Sequence, residues 1–413
     1  MSTISMQCNS SGYSNPIRGA QFGIISYDWS NAKTQWATTK PMDCVERLVT
    51  QATMTKTLNP NSKVFTYRNL VKALPWFKEV REKLDDPIYS GFFLKFKPSN
   101  GSTKDTHVPR CALEDPNKCS IFYHDQEQTP EVPTPSSPNP DGSCDQYCDC
   151  GSQPCGEYLW DHRNGTMLRN FLLNEHIAGE NGLGNPNIDG FFIDDFWCSD
   201  ILNQERGYGP CNDPVQGPTE VDRFSQEDMG LSDDDIKNLT LGWEDNMGQA
   251  QQKILDLGKY TWSLIPGQAN ANAYPVMLSA NTCTSLLEAA CSEQSSWQQL
   301  PFLFGLTVNN TDILQIKEDV AFFLLARGPY AWLGWGVWGM TWPFNPEPAH
   351  GGLPPSPEGV SRPKEIDQDY GVPLGLCIET EKGIFERKWS KAMVKLDCNK
   401  FEGSIEIIGF ADQ

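Results

Sequence analysis

The chain has 413 residues, 38% of them hydrophobic, with 53 acidic against 33 basic side chains and a formal charge of -20. That balance repels a phosphate backbone and excludes nucleic acid as an expected partner, and no stretch of about 18 apolar residues is present to cross a membrane. The length suits one closed α/β barrel with insertions, and 13 Trp, 12 Tyr and 20 Phe exceed what a core needs, leaving aromatic surface for a ligand.

FGIISYDW, 22–29, reads as the first strand and ends in Asp28 and Trp29. From Met42 to Leu58, Val45, Leu48, Val49 and Ala52 recur at helical spacing, and SKVFTYRN, 62–69, reads as the second strand. A helix is expected over 70–84. The interval from Tyr89 to Asp149 breaks the rhythm, because its tract TPEVPTPSSPNPDGS is too rich in Pro and Ser to pack regularly; an insertion is placed at about 97–155. GEYLWDHRN, 156–164, is the third expected strand, 166–179 a helix, and IDGFFIDDF, 188–196, the fourth strand. After a second insertion bearing Cys198 and Cys211, Ser232 with Asp235 three positions later forms an acidic version of a capping box and starts a helix toward Leu257. YTWSLI (260–265), PVMLSAN (275–281), PFLFGL (301–306) and AWLGWG (331–336) complete the strands, the last two separated by the helix TDILQIKEDVAFFLLARG.

Eight such units predict an α/β fold, a (β/α)8 TIM barrel over 20–350 with loop insertions. An open doubly wound sheet is the structural alternative, disfavoured because no Gly-rich phosphate loop follows a strand. Past 350 a Pro/Gly-rich passage leads to GIFERKW and KAMVKLDC, two short antiparallel strands of a C-terminal extension, 351–413, with Cys377 and Cys398 close enough in sequence to staple it.

Of 14 cysteines, five lie between Cys144 and Cys198. Cys144, Cys148, Cys150 and Cys155 offer four thiols, yet not in paired C-x-x-C spacing, so disulfides are preferred over a zinc knot. Sequons at Asn9, Asn100, Asn164, Asn238 and Asn309 agree with secretion, although MSTISMQCNSSGYSNPI has no apolar leader core. An exported chain would have lost its signal peptide from this sequence. A monomer is expected.

The chemistry concentrates where expected strands end in acids: Asp28, Asp161, and the pair Asp194 and Asp195. In a barrel these ends converge on one rim. The period of two along DGFFIDDF turns Asp194 toward the barrel axis and leaves Asp195 to bend toward the rim. Carboxylates in an aromatic cleft suit glycosidic hydrolysis, where one stays ionised beside a developing oxocarbenium ion and another delivers a proton. Trp29, Trp197, Trp335, Trp338 and Trp342 are candidate sugar platforms, with Asp28, His162, Arg163 and Glu244 as candidate hydroxyl partners. Each has a plainer structural reading: the Asp pair as polar strand-end material, Asp161-His162-Arg163 as a salt-linked corner, Glu244 as part of a solvated helix face. No G-x-S-x-G elbow or H-E-x-x-H pair is present, and no cofactor or metal is expected. The acidic stretches DPNKCSIFYHDQE and GLSDDDIK carry oxygen ligands of the kind calcium takes, without a specific loop pattern.

YLWDHRNGTMLRNFL before NIDGFFIDDFW, then AFFLLARGPYAWLGWG, then DYGVPLG followed by GIFERKWSKAMVKLD, resembles glycoside hydrolases of the (β/α)8 superfamily. The resemblance covers about 22–397 loosely, with the insertion outside it. It implies that the D-G-x-F-x-D-D strand end supplies active-site acid. Carried over, Asp194 is nucleophile or catalytic base, and Asp195 or Asp161 is the proton donor. The expected activity is hydrolysis of a glycosidic bond in a neutral or weakly charged glycan; the competing expectation is a non-catalytic carbohydrate-binding or structural surface protein on a degenerate barrel.

Overall fold

The structure is a computed structural model, described for residues 3–39, 41–95, 124–125, 157–195, 197, 230–263, 273–295, 303–308, 315–328, 331–335 and 363–408. In chain order the strands and main helices begin with β1 (Ile4–Gln7), β2 (Ile24–Tyr27), α1 (Cys44–Leu58), β3 (Lys63–Asn69), β4 (Lys72–Ala73) and α2 (Lys78–Asp85). They continue with β5 (His124–Asp125), β6 (Glu157–Leu159), α3 (Gly165–Phe171), a π-helical turn (Leu172–Ile177), β7 (Gly190–Asp194), α4 (Asp233–Asp256), β8 (Tyr260–Ser263) and β9 (Ala273–Leu278). After α5 (Cys283–Ala290), β10 (Leu303–Val308), α6 (Ile316–Ala326) and β11 (Ala331–Trp335) come β12 (Ile378–Glu381), β13 (Ile384–Lys388), β14 (Ala392–Asp397) and β15 (Glu402–Ile407).

Parallel pairing gives two sheets, β1-β2-β3-β7-β8 and β11-β10-β9, and a parallel bridge from Thr3 to Leu333 links β1 to β11. Parallel strands, helices between them and a separate C-terminal antiparallel sheet make a barrel-like core with an appendage. β3 shows why the parallel strands form. KVFTYRN is rich in β-branched and aromatic residues and is buried at every position after its first, as a strand covered on both faces must be. The two faces separate by period. Tyr27 shares a hydrogen bond with Thr55 of α1 at 2.6 Å, and Arg68 donates to the carbonyls of His176 and Asn181, so these side chains face the helical layer. Their neighbours Tyr67 and Asn69 face the opposite, inner side.

The expected third strand is corrected. β6 pairs antiparallel with β4 and β5 in a small side sheet, β3 pairs directly with β7 where β6 was to lie, and a further parallel strand, β1, stands at the other edge beside β2. A four-residue strand alternating Ile-Ser-Met-Gln carries too little periodic signal to stand out near a chain end. The helix expected over 70–84 is confined to α2, because residues 70–77 form β4 and a tight turn before it. The capping box of α4 is present: Asp235 N–H donates to Ser232 Oγ at 3.2 Å, and Ser232 N–H donates to Asp235 Oδ2 at 3.0 Å.

The appendage is a four-stranded antiparallel sheet, β12-β13-β14-β15, in place of two strands. Its cysteines do not pair with each other. Cys398 bonds to Cys283 and Cys377 to Cys291, so both disulfides tie the sheet to α5 and the turn after it. Arg387 of β13 adds a polar clamp, donating to the carbonyls of Leu324, Leu325 and Arg327 at the end of α6. Those carbonyls have no partner within the helix, so a buried guanidinium satisfies them and couples appendage to core. Among the described residues no helix is long and apolar enough to cross a membrane. Cys144, Cys148, Cys150, Cys155, Cys198 and Cys211 lie outside the described residues.

Candidate active site

The carboxyl ends of β2, β3 and β7 bring Asp28, Tyr67, Asn69, Asp194 and Asp195 together, with Lys72 just beyond β3. Register explains the grouping. Asp194 lies directly across from Asn69, and Phe192 across from Tyr67, so alternate residues of the two strands share the inner face. Asp194 ends its strand on that face. Asp195 breaks the strand by entering the left-handed region at φ 59°, a conformation that disfavours side chains and is found at functional sites.

The two neighbours meet different surroundings. Asp195 Oδ2 accepts from Asn69 Nδ2 at 2.5 Å and lies 3.5 Å from Lys72 Nζ. An amide donor and a cation thus hold this carboxyl in place from the β3 side. Asp194 is half-buried, and burial raises its pKa first, followed by the charges of Asp195 and Asp28; with only Lys72 and a backbone contact opposing, it is pushed up to about 7. Of the two neighbours, Asp194 is thus a carboxyl that holds its proton far more tightly than usual, as the proton donor of a hydrolytic pair must. Asp28 is buried and anchored by the amide of Ser30 at 3.0 Å and its hydroxyl at 2.5 Å.

Asn69 is the fork of the site. Its Oδ1 accepts from the amides of Val71 at 2.8 Å and Lys72 at 2.7 Å, while its Nδ2 donates to Tyr67 Oη at 2.9 Å as well as to Asp195. Burial, then the charges of Asp194 and Asp195, hold the Tyr67 hydroxyl well above its ordinary range, so it stays neutral. Trp29 covers one side, partly buried at 6.4 Å from the Tyr67 ring and 5.7 Å from Trp76, with Lys33 Nζ 4.6 Å from its ring centre.

Several expected residues make their contacts outside this cluster. Asp161 follows the small side sheet instead of a parallel strand, and both its oxygens accept from Arg163 at 2.9 Å; Arg163 also binds Asp235 Oδ1 at 2.6 Å. This is a salt-linked corner that ties the side sheet to the start of α4. His162 is buried under it, donating from Nε2 to the Leu70 carbonyl at 2.7 Å and accepting at Nδ1 from Asn246 at 3.0 Å. Burial lowers its pKa to about 4, so the ring is neutral. Trp197 is buried edge-on against that ring at 6.0 Å, and Glu244 is half-buried midway along α4. Trp335 is the last residue of β11, and Trp338 and Trp342 lie outside the described residues.

No family model matches the chain and no curated protein matches it. Among solved structures, sucrose 6F-phosphate phosphorylase from Thermoanaerobacter thermosaccharolyticum is similar at 9% identity over 100% of this chain and 96% of that one, with a TM-score of 0.46. The maltogenic amylase from S. marinus is 9% identical over 96% of this chain and 62% of that one at 0.40, and the glycoside hydrolase domain of PelA from Pseudomonas aeruginosa is 12% identical over 67% and 66% at 0.25. Superpositions this loose carry neither fold nor activity from one chain to the other. The weight rests on the side chains themselves.

Sequence reasoning found Asp28, Asp194 and Asp195 and missed Tyr67, Asn69 and Lys72. A signal for Asn69 exists: it ends a strand, as Asp194 does, and parallel register sets strand ends side by side. Lys72 had none, since nothing local distinguishes a lysine that pairs with an acid more than a hundred residues away. Among the described residues no cluster of three or more His, Cys, Asp or Glu side chains is placed to hold a metal ion.

Proposed function

We propose that the parallel strands close as a (β/α)8 barrel, β8 meeting β9, and that its rim hydrolyses a glycosidic bond in an oligosaccharide or polysaccharide. The observation that carries this reading is a carboxyl pushed up to about 7 beside a carboxylate held by Lys72 and Asn69. The roles expected from sequence are exchanged. Asp194 keeps its proton near neutral pH and donates it to the glycosidic oxygen as the C–O bond breaks. Asp195 faces the positive charge that develops at the sugar carbon and either takes a proton from the attacking water or bonds to that carbon itself, the glycosyl–Asp195 bond then being cleaved by water. Trp29 offers an apolar face to a ring, and the charge of -20 disfavours polyanionic glycans. Two disulfides support a site of action outside the reducing cytosol.

The ion pair between Lys72 and Asp195 favours a second reading, because a carboxylate engaged by a cation also suits a binding site that never turns over. A reducing-end release screen on neutral α- and β-linked glycans separates them. The hydrolase reading expects release by the wild type and a loss of about 10²–10⁴-fold in D194N. Glycan binding by the wild type without release from any member of the panel supports the binding protein.

A further inference from the structure

The geometry points to Glu79 and His176, a buried pair behind β3 on the helical side, as positioning residues that hold Asn69 so that Asp195 stays beside Asp194. This deepens the proposed function and takes the Asp194–Asp195 pair as its site. His176 lies in the π-helical turn, its ring enclosed by Phe77 at 5.9 Å, Phe171 at 6.3 Å and Trp160 at 6.4 Å. Its Nδ1 is 3.0 Å from Glu79 Oε1 and its Nε2 is 3.3 Å from the Asn69 carbonyl oxygen.

Both partners constrain the ring. A carbonyl only accepts, so Nε2 carries a hydrogen and donates it to Asn69. Glu79 Oε1, a carboxylate oxygen that only accepts, takes a hydrogen from Nδ1 and fixes the plane of the ring, as outer carboxylates do for functional histidines. A π turn adds one residue to a helical ring and shifts the side chains that follow, and such turns concentrate at functional sites. The turn is locked from behind. A Cβ at Gly179 would meet the Glu175 carbonyl oxygen at 2.1 Å, and one at Gly182 the Ile177 oxygen at 2.4 Å, so only glycine lets the chain fold back this tightly. Arg68 completes the clamp, its guanidinium buried and donating to the carbonyls of Tyr67, His176 and Asn181. Arg68 from β3 is the charged group packed on the pair, and Glu79 also lines a neighbouring cleft with Lys78 and Glu82 of α2, Glu175 of the π turn and Glu180 beyond it.

The path from the pair to the acids is one residue long. Asn69 receives the His176 hydrogen bond on its backbone and sends its side chain to Asp195, Tyr67 and the Lys72 turn. Loss of the backbone anchor lets the strand end relax and frees Asp195 from its place. Asp195 repels charge on Asp194 more strongly than Lys72 attracts it, so Asp194 becomes the weaker holder of its proton.

Carbon-13 NMR titration of the Asp194 carboxyl reads this without any substrate. H176F keeps an aromatic ring in the cage and removes both hydrogen bonds; its midpoint falls from near 7 toward the ordinary carboxylate range, and N69A gives the same fall. E79Q retains the wild-type midpoint, because an amide donates to Nδ1 of a neutral ring that still donates to Asn69. E82Q, in the neighbouring cleft, is the control and leaves the midpoint in place. Should H176F not fold, E79A, which strips the ring of its anchor, reads the same quantity. With a cleavable glycan, H176F lowers kcat by about tenfold or more and leaves KM within about twofold. A folded H176F or E79A with the wild-type midpoint overturns the inference. A wild type that turns over no glycan counts against the proposed function alone, since the titration is read regardless.

Discussion

Replacing Asp194 by Asn is expected to inactivate the protein and stabilise it at alkaline pH. The folded chain raises this carboxyl from an ordinary value of 3.8 to about 7, through burial first and then the charges of Asp195 and Asp28. A raised folded pKa means that the native state binds the proton more tightly than the unfolded chain does. The contribution is therefore fully present below the unfolded value and lost as pH rises through 7. At about 1.4 kcal/mol per pH unit, the wild type forfeits roughly 2–3 kcal/mol between pH 5 and pH 8 through this one group. D194N has no proton to lose there. Urea unfolding of both proteins at the two pH values gives the double difference, in which every other titrating group is common and cancels. The account expects D194N to gain about 2–3 kcal/mol on the wild type in going from pH 5 to pH 8. A double difference near zero would refute the reasoning, because it would mean that Asp194 is solvated and ordinary.

Three further outcomes follow from the same contacts. K72M removes the cation that opposes the rise at Asp194, so the Asp194 midpoint moves further up in an NMR titration; a downward move would place Lys72 elsewhere. His162 is held neutral, with its pKa lowered from 6.5 to about 4 by burial, so its contribution is complete above 6.5 and is lost as pH falls through 4. H162Q, which keeps a donor for the Leu70 carbonyl, is expected to escape about 3 kcal/mol of that acid loss, measured as the urea midpoint between pH 7 and pH 4. The Cys291–Cys377 bond, nested inside Cys283–Cys398, already closes most of the outer loop, so C283S/C398S is expected to cost about 3–4 kcal/mol in the chain-entropy view, read by thermal unfolding; an unchanged unfolding temperature would show the appendage held by Cys291–Cys377, packing and Arg387 without it.

Seven of the eight parallel strands among the described residues were legible because each is a short β-branched or aromatic run bounded by turn residues, and the structure moves their ends by up to three residues. The Ser232 cap was legible because its two hydrogen bonds lie within four residues. The failures share a cause. β1, the side-sheet pairing of β6, and the bonds from Cys283 and Cys291 to the appendage are all decided by partners distant in the chain, which local periodicity does not encode. The π turn had no signal of its own; a helix with Leu168, Phe171 and Leu172 reads as regular until Arg68 and Asn69 claim its carbonyl and its histidine. At the site, the acids were legible but the groups around them were not, since Lys72 and Asn69 arrive from another strand.

The pH dependence of kcat/KM for glycan hydrolysis by the wild type tests the central claim most directly, because it reports the protonation state in which Asp194 works. The account predicts an alkaline limb with its midpoint near 7, where Asp194 loses the proton it donates, and a limb displaced upward in K72M. A rate that stays level or climbs from pH 6 through pH 9 would contradict it, showing that Asp194 is not the acid.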